Sequence, residues 1–295
     1  MTARLAIATC AAYPRLLEDD LPLAAALAAR GVAVEPAVWD VPRDWTAFDA
    51  VLLRSVWDYY ERPGEFFPWL AGLERAGVRT WNPPALVRWN GDKHYLNDLA
   101  ARGVALPPTL FVPAGTPVGE AQARVQARMH EAGWREVVVK PAVSGGAWRT
   151  HRLRAGELAG AQAAFAEVLA GGALLAQPFL PEIEAEGEVS LVFFEGRYSH
   201  AVRKRAKPGD WRVQWTHGGV HVAMEPAPAL LEQAQAVLAA APEPGLYARV
   251  DGIVRDGRLL LMELEQVEPF LFFGEGPAGA VRLAEAVVAR LAARA

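Results

Sequence analysis

Short apolar runs alternate with longer runs of helical composition over the first part of the chain. The short runs, which are typical of buried strands, lie at residues 5–9, 32–38, 50–53 and 78–81. Between them, residues 21–30 and 66–76 have a helical pattern, and each of these two runs is followed by a glycine that is typical of a helix end. Strands that alternate with helices predict a small parallel α/β unit over about the first 85 residues.

The rest of the chain has a mixed pattern that predicts two further lobes. Asn82, Pro83 and Pro84 mark the first boundary, and we place the domains at residues 1–85, 86–175 and 176–295. Strands are predicted at residues 110–112, 136–140, 174–177, 189–194 and 197–204, and helices at residues 94–102, 119–131, 157–169, 230–240 and 277–293. Residues 207–219 are rich in turn formers, so we expect a mobile loop there. The pattern predicts an α/β fold in which a parallel domain is followed by two α+β lobes.

Acidic residues, which are rare inside strands, interrupt two strands around a turn at Asp256 and Gly257. Glu263 and Glu265 are two residues apart and therefore project from the same face of their strand. If Asp251 joins them, three like charges converge and repel one another unless a cation lies between them. A small set of hard oxygen ligands suits Mg²⁺. Solvated acids on an exposed sheet face give the same pattern, so the hairpin alone leaves both interpretations open.

The length of the turn decides which side of the sheet Asp251 occupies. A two-residue turn sets Asp251 opposite Met262, in an apolar layer that also contains Leu264. A three-residue loop at residues 255–257 instead places Asp251 on one face with Arg249, Glu263 and Glu265. It leaves Met262 and Leu264 on the opposite, apolar face. Because this division is cleaner, we expect the three-residue loop or a β-bulge with an equal effect.

A second set of polar residues follows the strand predicted at residues 136–140. This strand ends on Lys140, and an unpaired lysine is costly to bury, so its ammonium group is expected at the margin of a site. The following Ser144, Gly145 and Gly146 form a small-residue loop whose backbone amides can approach an anion. An ordinary hairpin has a similar composition, but the order of strand, lysine and glycine loop favours an anion site.

Polar and aromatic residues also follow the third strand of the N-terminal unit. Ligands of open parallel sheets bind at the carboxyl ends of the strands. We therefore expect the substrate to contact this segment, which contains Arg54, Ser55, Trp57 and Asp58. A purely structural Arg54–Asp58 ion pair across the loop is the alternative.

Composition excludes several classes of protein. The 295 residues carry a net charge of −4 with scattered basic residues, which argues against nucleic acid as a partner. The single cysteine, Cys10, excludes an intrachain disulfide and a cysteine-based zinc site. No apolar run approaches the ~20 residues that span a bilayer, so we expect no membrane association. The N-terminal residues lack the pattern of a signal peptide, and a cytoplasmic protein is expected.

Taken together, these segments resemble the ATP-grasp carboxylate–amine ligases, a superfamily that includes glutathione synthetase and D-alanine–D-alanine ligase. The resemblance is carried by Lys93, by Lys140 with its glycine loop, by residues 177–182, and by Asp251 with Glu263 and Glu265. It implies an N-terminal domain and two lobes that clasp ATP. The family usually has Glu-x-Asn where this chain has Glu-x-Glu, which adds a negative charge beside the metals.

The resemblance also implies roles for individual residues. The phosphates of ATP would contact Lys93 and Lys140 under the loop of Ser144, Gly145 and Gly146. The nucleoside would contact Gln177, Pro178, Phe179, Leu180 and Glu188, with Glu188 on the ribose. Arg203 would steady an oxyanion, and Arg212 would lie in a loop that closes over the phosphates. Asp251, Glu263 and Glu265 would bind two Mg²⁺ ions, with Mn²⁺ as the alternative metal.

A narrower resemblance is to the O-ureido-D-serine cyclo-ligase family, carried by residues 53–59, 89–96, 199–204 and 263–270. The resemblance implies an ATP-dependent ligase that activates a small amino-acid-like carboxylate and joins it to an amine, so the expected partners are small molecules. An intramolecular cyclo-ligase of the D-cycloserine-forming type and a nucleotide-binding module without turnover are the alternatives. A homo-oligomer is left open.

Overall fold

The N-terminal domain is a four-stranded parallel sheet, as the alternating pattern predicts. The computed structural model describes residues 2–293. The sheet has the order β2-β1-β3-β4. Its elements are β1 (Arg4–Thr9), α1 (Leu21–Ala28), β2 (Ala33–Val38), β3 (Ala50–Ser55), α2 (Pro63–Arg75) and β4 (Thr80–Trp81). The two central strands, β1 and β3, are buried along nearly their whole length, which explains their continuous apolar runs.

The central lobe is built on a four-stranded antiparallel sheet with the order β5-β8-β6-β7. Its elements are α3 (Pro84–Asn90), α4 (Tyr95–Ala101), β5 (Leu110–Val112), α5 (Val118–Ala132), β6 (Glu136–Pro141), β7 (His151–Arg154), α6 (Gln162–Leu169) and β8 (Leu174–Pro178). The sequence analysis missed α3 and β7. The helix expected from residue 157 begins only at Gln162, because a 3₁₀ turn, Ala155–Gly160, precedes it. Strand β8 crosses the domain boundary that we placed at residue 175.

The C-terminal lobe is a five-stranded antiparallel sheet with the order β11-β10-β9-β12-β13. Its elements are α7 (Glu182–Ala185), β9 (Glu188–Phe194), β10 (Arg197–Arg205), β11 (Val220–Met224), α8 (Pro228–Ala240), β12 (Tyr247–Arg255), β13 (Arg258–Glu265) and α9 (Ala278–Ala292). The loop expected at residues 207–219 includes a 3₁₀ turn, Trp215–His217, and strand β11 was not predicted. Apolar residues of α9 and of this sheet share one core with β1 and α1 of the N-terminal domain.

In the acidic hairpin formed by β12 and β13, Asp251 lies on the same side as Glu263, as expected. A β-bulge, the second of the two alternatives given above, produces this arrangement. The predicted three-residue loop is wrong, because Arg255 pairs with Arg258 across a two-residue turn. Asp256 and Gly257 have φ values of 52° and 73°, as the tight turns of hairpins require. A bulge at Met262 then shifts the register, so that Asp251 faces Glu263. Met262 lines a cavity between the lobes and does not lie on the opposite, apolar face where we expected it.

Among residues 2–293, no helix has both the length and the apolar character needed to cross a bilayer.

Candidate active site

A cavity of about 570 Å³ lies between the three sheets and contains most of the residues singled out from the sequence. Every residue expected to bind the nucleotide or the metal lines it: Lys93, Lys140, Ser144, Gly145, Gly146, Gln177, Pro178, Phe179, Leu180, Glu188, Asp251, Glu263 and Glu265. Trp57 and Arg212 line it as well, whereas Arg54, Ser55, Asp58 and Arg203 do not. The cavity therefore unites nucleotide and metal candidates, and it contains only part of the substrate and catalytic sets.

One face of the C-terminal sheet supplies the charged floor of this cavity. Across the sheet, Lys204 faces Glu188, Ser190 faces Asp251, and Asp251 faces Glu263. Facing residues of neighbouring strands share a side of the sheet, so the strand register alone brings these side chains together. The bulge at Met262 is part of this arrangement, because the two-residue turn alone would place Asp251 and Glu263 on opposite sides of the sheet.

Asp251 is the most enclosed carboxylate of the floor, with 2% of its surface exposed. Its Oδ1 accepts hydrogen bonds from Ser190 Oγ at 2.6 Å and from Arg249 Nε at 2.9 Å. Its Oδ2 accepts from Lys204 Nζ at 3.0 Å. Burial opposes its ionisation, but the Arg249 guanidinium and the Lys204 ammonium hold the pKa of Asp251 well below its usual range.

Lys204 and Arg249 are functional candidates to which the sequence analysis gave no role. Lys204 Nζ donates to Glu188 Oε1 at 2.7 Å, and burial nevertheless raises the pKa of Glu188 above its usual range. Arg249 forms ion pairs with both Asp251 and Glu265, and its Nη1 donates to Phe270 O at 2.8 Å. Strand alternation places Arg249 with Asp251 on β12, whereas only the pairing of β10 with β9 places Lys204 beside Glu188.

Arg203, which the sequence analysis expected at the oxyanion, projects away from the cavity lining. It faces Val189 across the sheet, one position out of phase with Lys204, and its Nη1 donates to Glu186 O at 3.0 Å. Side chains of successive strand residues project from opposite faces. Arg249 lines the cavity instead, as do Arg149 and Arg212.

Two lysines from the central lobe face this floor in different ways. Lys93 Nζ lies 2.8 Å from Glu263 Oε1 and donates to Ser144 O at 2.5 Å, so it joins β13 to the glycine loop. Although burial opposes ionisation, Lys93 and then Lys140 lower the pKa of Glu263. Lys140 has no ion pair within 4.0 Å in the described part of the chain, and burial lowers the pKa of its ammonium group. Lys140 is therefore a cation in need of an anionic ligand.

The donor set of the floor fits a divalent cation only in part. No group of three carboxylate, histidine or cysteine side chains within residues 2–293 has the spacing of a metal site. Asp251 is enclosed by Arg249 and Lys204, while the side chains of Glu263 and Glu265 are 28% and 27% exposed toward the cavity. Burial raises the pKa of Glu265 to about 7. The carboxylates converge as expected, but protein cations lie among them, and Mg²⁺ binding stays a prediction.

The glycine loop closes one wall of the cavity against the other two parts of the molecule. A side chain at Gly145 would place its Cβ 2.8 Å from Cε1 of Tyr60, so only glycine allows this approach. His217 Nε2 donates to Gly146 O at 3.1 Å, which joins the glycine loop to the loop at residues 207–219. Beyond it, Leu180 and Met262 belong to an apolar cluster that borders the segment expected to bind adenine.

The last two residues of β3, Arg54 and Ser55, stabilise the fold at this point. Arg54 is 2% exposed, and it donates through Nε to Asp20 Oδ1 at 2.8 Å and through Nη2 to Pro269 O at 2.7 Å. Ser55 Oγ also donates to Asp20, at 2.6 Å. Arg54 and Ser55 do not line the cavity, and Arg54 pairs with Asp20 instead of Asp58. Asp58 accepts from Trp39 Nε1 at 2.7 Å, outside the cavity.

Comparisons with known proteins point to one family. Residues 5–82 match the family described as D-cycloserine synthetase DcsG, N-terminal domain. The chain is 36% identical to the cycloserine biosynthesis protein DcsG of Streptomyces lavendulae, over 97% of this chain and 98% of that protein. The crystal structure of D-cycloserine synthetase DcsG is similar, with a TM-score of 0.87, 31% identity, and coverage of 98% of this chain and 100% of that one. D-alanine–D-alanine ligase from Bacillus anthracis, complexed with ATP, shares the fold, with a TM-score of 0.69, 15% identity, and coverage of 98% and 97%.

Proposed function

Because this chain belongs to the DcsG family within the ATP-grasp ligases, as its sequence led us to expect, we propose that it activates a small amino-acid carboxylate as an acylphosphate and joins it to an amine. The chain is an ATP-dependent ligase of the carboxylate–amine type, and its fold is that of the ATP-grasp enzymes. The proposal concerns the residues that carry out the reaction and the nature of the acid.

The observation that supports the proposal most directly is that one cavity contains Lys93 and Lys140, a glycine loop and a floor of carboxylates. Phosphoryl transfer requires positioning and neutralisation of charge more than covalent participation by the protein. Lys140, which has no carboxylate partner within 4.0 Å in the described part of the chain, is suited to bind a phosphate. Lys93 can exchange its contact with Glu263 for a second phosphate contact.

Mg²⁺ would be held by Glu263 and Glu265, with Asp251 behind them, and it would offset the charge of the phosphates when bound. The exposed carboxylate oxygens of Glu263 and Glu265 support this assignment. For Asp251 to take part, it would have to give up a contact with Lys204 or Arg249.

Arg249 is our candidate for the residue that stabilises the oxyanion, in place of Arg203. Its guanidinium lines the cavity and is held in place by Asp251 and by the carbonyl of Phe270. A donor that is fixed before the reaction stabilises developing charge without reorganising. The attacking amine would then displace phosphate from the acylphosphate, and the loop at residues 207–219 would exclude water meanwhile.

Ring closure within one substrate is the second candidate function. Its support is the near full-length similarity to DcsG, a cycloserine biosynthesis protein. In that case the acid and the attacking nitrogen belong to one molecule. The ureido nitrogen of O-ureido-D-serine would displace phosphate from the activated carboxylate, and hydrolysis of its carbamoyl group to CO₂ and NH₃ would leave D-cycloserine. The cytoplasm, which supplies ATP, is the proposed location in either case.

Release of ADP tests the proposal. The enzyme would be incubated with ATP, Mg²⁺ and either O-ureido-D-serine or pooled amino acids, and ADP and phosphate would be measured together with the ligated or cyclised product. We expect ADP and phosphate to be released only when an acid and an amine are present. The Lys140→Met variant should release them more slowly. ADP formation that is independent of any acid would contradict the proposal.

A further inference from the structure

Five carboxylates line the cavity, and four of them have a cation of the protein beside them. Glu188 and Asp251 pair with Lys204, Asp251 and Glu265 pair with Arg249, and Glu263 pairs with Lys93. The fifth, Glu268, has no hydrogen-bond donor on its carboxylate and no ion pair within 4.0 Å among residues 2–293. Lys93 and Arg249 act on it only at longer range. A half-buried carboxylate in this position lacks a partner that its neighbours have.

The aromatic rings beside Glu268 favour a cation as that partner. Trp57, Trp215 and Phe270 form a triangle with ring centroids 6.1 to 6.3 Å apart, and all three line the cavity. Aromatic faces attract ammonium groups, and the other carboxylates of the floor repel an anion here. Burial, together with Glu265 and Glu263, raises the pKa of Glu268 well above its usual value, so a cationic ligand would also stabilise its ionised form.

The backbone that carries Glu268 is held in place before any ligand arrives. Three successive carbonyls, those of Glu268, Pro269 and Phe270, accept hydrogen bonds from Trp57 Nε1 at 3.1 Å, Arg54 Nη2 at 2.7 Å and Arg249 Nη1 at 2.8 Å. The N-terminal domain thus positions the carboxylate indirectly, through residues that the sequence analysis had assigned to the substrate. A group held in this way loses little conformational freedom on binding.

We propose that Glu268, with the rings of Trp57, Trp215 and Phe270, binds the ammonium group of an amino-acid substrate and so selects acids that carry this group. The inference rests on the proposed ligase function. The ammonium group bound by Glu268 belongs to the acid and is not the nitrogen that attacks the activated carbonyl. Acids of the same size without the ammonium group would leave Glu268 unpaired and bind more weakly.

Two ligands that differ only in the amino group test this assignment. D-cycloserine and isoxazolidin-3-one, the same ring without the amino group, would be titrated calorimetrically into the full chain with ADP and Mg²⁺ present. The Glu268→Gln variant keeps the shape of the side chain and removes its charge. Glu243→Gln removes a charge from an exposed position outside the cavity and is the matched control.

We expect the wild type to bind D-cycloserine about 10- to 100-fold more tightly than the ring without the amino group, as a charge-assisted contact requires. Glu268→Gln should lose most of this preference, and Glu243→Gln should keep it. A preference that survives in Glu268→Gln, or that is absent from the wild type, would overturn the assignment.

A metal role for Glu268 is distinguished by a second titration. If the Mg²⁺ concentration needed for ATP binding rises in Glu268→Gln, the residue is a metal ligand and the ammonium assignment is overturned. If the Mg²⁺ dependence of ATP binding is the same in Glu268→Gln as in the wild type, the ammonium assignment is supported. Failure of the proposed ligase function would be visible separately, as ADP release that does not respond to any amino acid, while the ligand titration still decides the role of Glu268.

Discussion

At the scale of single residues, the two lysines expected to bind phosphate, Lys93 and Lys140, have similar roles but different surroundings. Lys93 neutralises Glu263, while Lys140 has no carboxylate partner within 4.0 Å in the described part of the chain. Replacing Lys93 leaves a buried carboxylate without its cation, whereas replacing Lys140 removes a cation that is costly to bury. The same chemical change should therefore have different effects on stability at the two positions.

We predict that Lys140→Met and Lys93→Met each weaken ATP binding by about 10- to 100-fold, the loss expected for a charge-assisted phosphate contact. Only Lys93→Met should also lower the free energy of unfolding, by roughly 1–3 kcal/mol, because Glu263 loses its partner. Calorimetric titration with ATP and denaturant unfolding measure the two effects. Unchanged ATP affinity in both variants would remove the phosphate assignment.

Asp19 gives a pH dependence that lies outside the cavity. Its carboxylate accepts backbone hydrogen bonds from Leu271 at 3.0 Å and Phe273 at 2.8 Å, yet burial and the adjacent Asp20 raise the pKa of Asp19 to about 6. A carboxyl group whose pKa is raised by folding binds more protons in the folded state, so its contribution to stability is present at low pH and is lost as the pH rises through 6.

We therefore predict that the unfolding free energy of the wild type, relative to Asp19→Asn, falls by roughly 1–3 kcal/mol between about pH 4 and pH 7. Asparagine also loses one of the two backbone contacts, so the variant has lower stability throughout, and the test is the slope of the difference with pH. A difference that is independent of pH would contradict the raised pKa of Asp19.

At the scale of secondary-structure elements, the hairpin of β12 and β13 depends on a glycine beside its bulge. A Cβ at Gly252 would lie 2.6 Å from Leu259 Cδ1 and 2.7 Å from Leu260 O. Backbone atoms cannot move aside as a flexible side chain can, so a methyl group here would force the strands apart. Because the same register brings Asp251 opposite Glu263, the strain should reach the active site.

We predict that Gly252→Ala lowers the free energy of unfolding by about 1–3 kcal/mol, the usual cost of overpacking, and weakens Mg²⁺-dependent ATP binding as well. Gly274→Ala is the control, because a Cβ at Gly274 meets nothing within 4 Å and the residue is exposed. If the two variants have the same free energy of unfolding and the same ATP affinity, the close contact of Gly252 with Leu259 and Leu260 is unimportant.

Local patterns predicted much of the fold and several of the residues that line the cavity. The buried runs of β1, β3 and β6 are continuous or alternating, and Lys140 with Gly145 and Gly146 has a recognisable order along the chain. The roles of Arg54 and Ser55 could not be predicted in the same way. Their partners are Asp20, 34 and 35 positions away, and for Arg54 also Pro269, 215 positions away.

Strand parity explains the remaining differences. Arg203 and Lys204 are neighbours in sequence, and only the pairing of β10 with β9 decides which of them faces Glu188. The bulge at Met262 reverses parity within β13, so alternation counted from the two-residue turn misplaces Glu263 and Glu265. The sequence contained the correct residue types, but not the register that selects among them.

At the scale of the whole molecule, loops from three parts of the chain meet over the cavity. Trp215 contacts Trp57 of the N-terminal domain and Phe270 of the C-terminal lobe, with centroids 6.1 and 6.3 Å away. His217, two residues further on, donates a hydrogen bond to Gly146 O in the glycine loop of the central lobe. This arrangement suits a cover that holds substrates away from water during the reaction.

We predict that Trp215→Ala allows water to reach the activated carboxylate, so that more ADP is formed for each molecule of ligated product. Trp215 is 41% exposed, so its loss should change stability little. The ratio of ADP to product is the measurement, and Trp215→Phe, which keeps an aromatic ring, is the control. An unchanged ratio in Trp215→Ala would show that this loop does not exclude water.

The central claim, that the carboxylate of the acid is activated as an acylphosphate, is tested most directly by the fate of its oxygen atoms. The enzyme would be given ATP and O-ureido-D-serine labelled with ¹⁸O in the carboxylate, or another acid that stimulates ADP release. If phosphate is transferred to the carboxylate and then displaced by the amine, one labelled oxygen leaves with each phosphate. We predict this transfer, read by mass spectrometry of the released phosphate. Product formation with unlabelled phosphate would contradict the account.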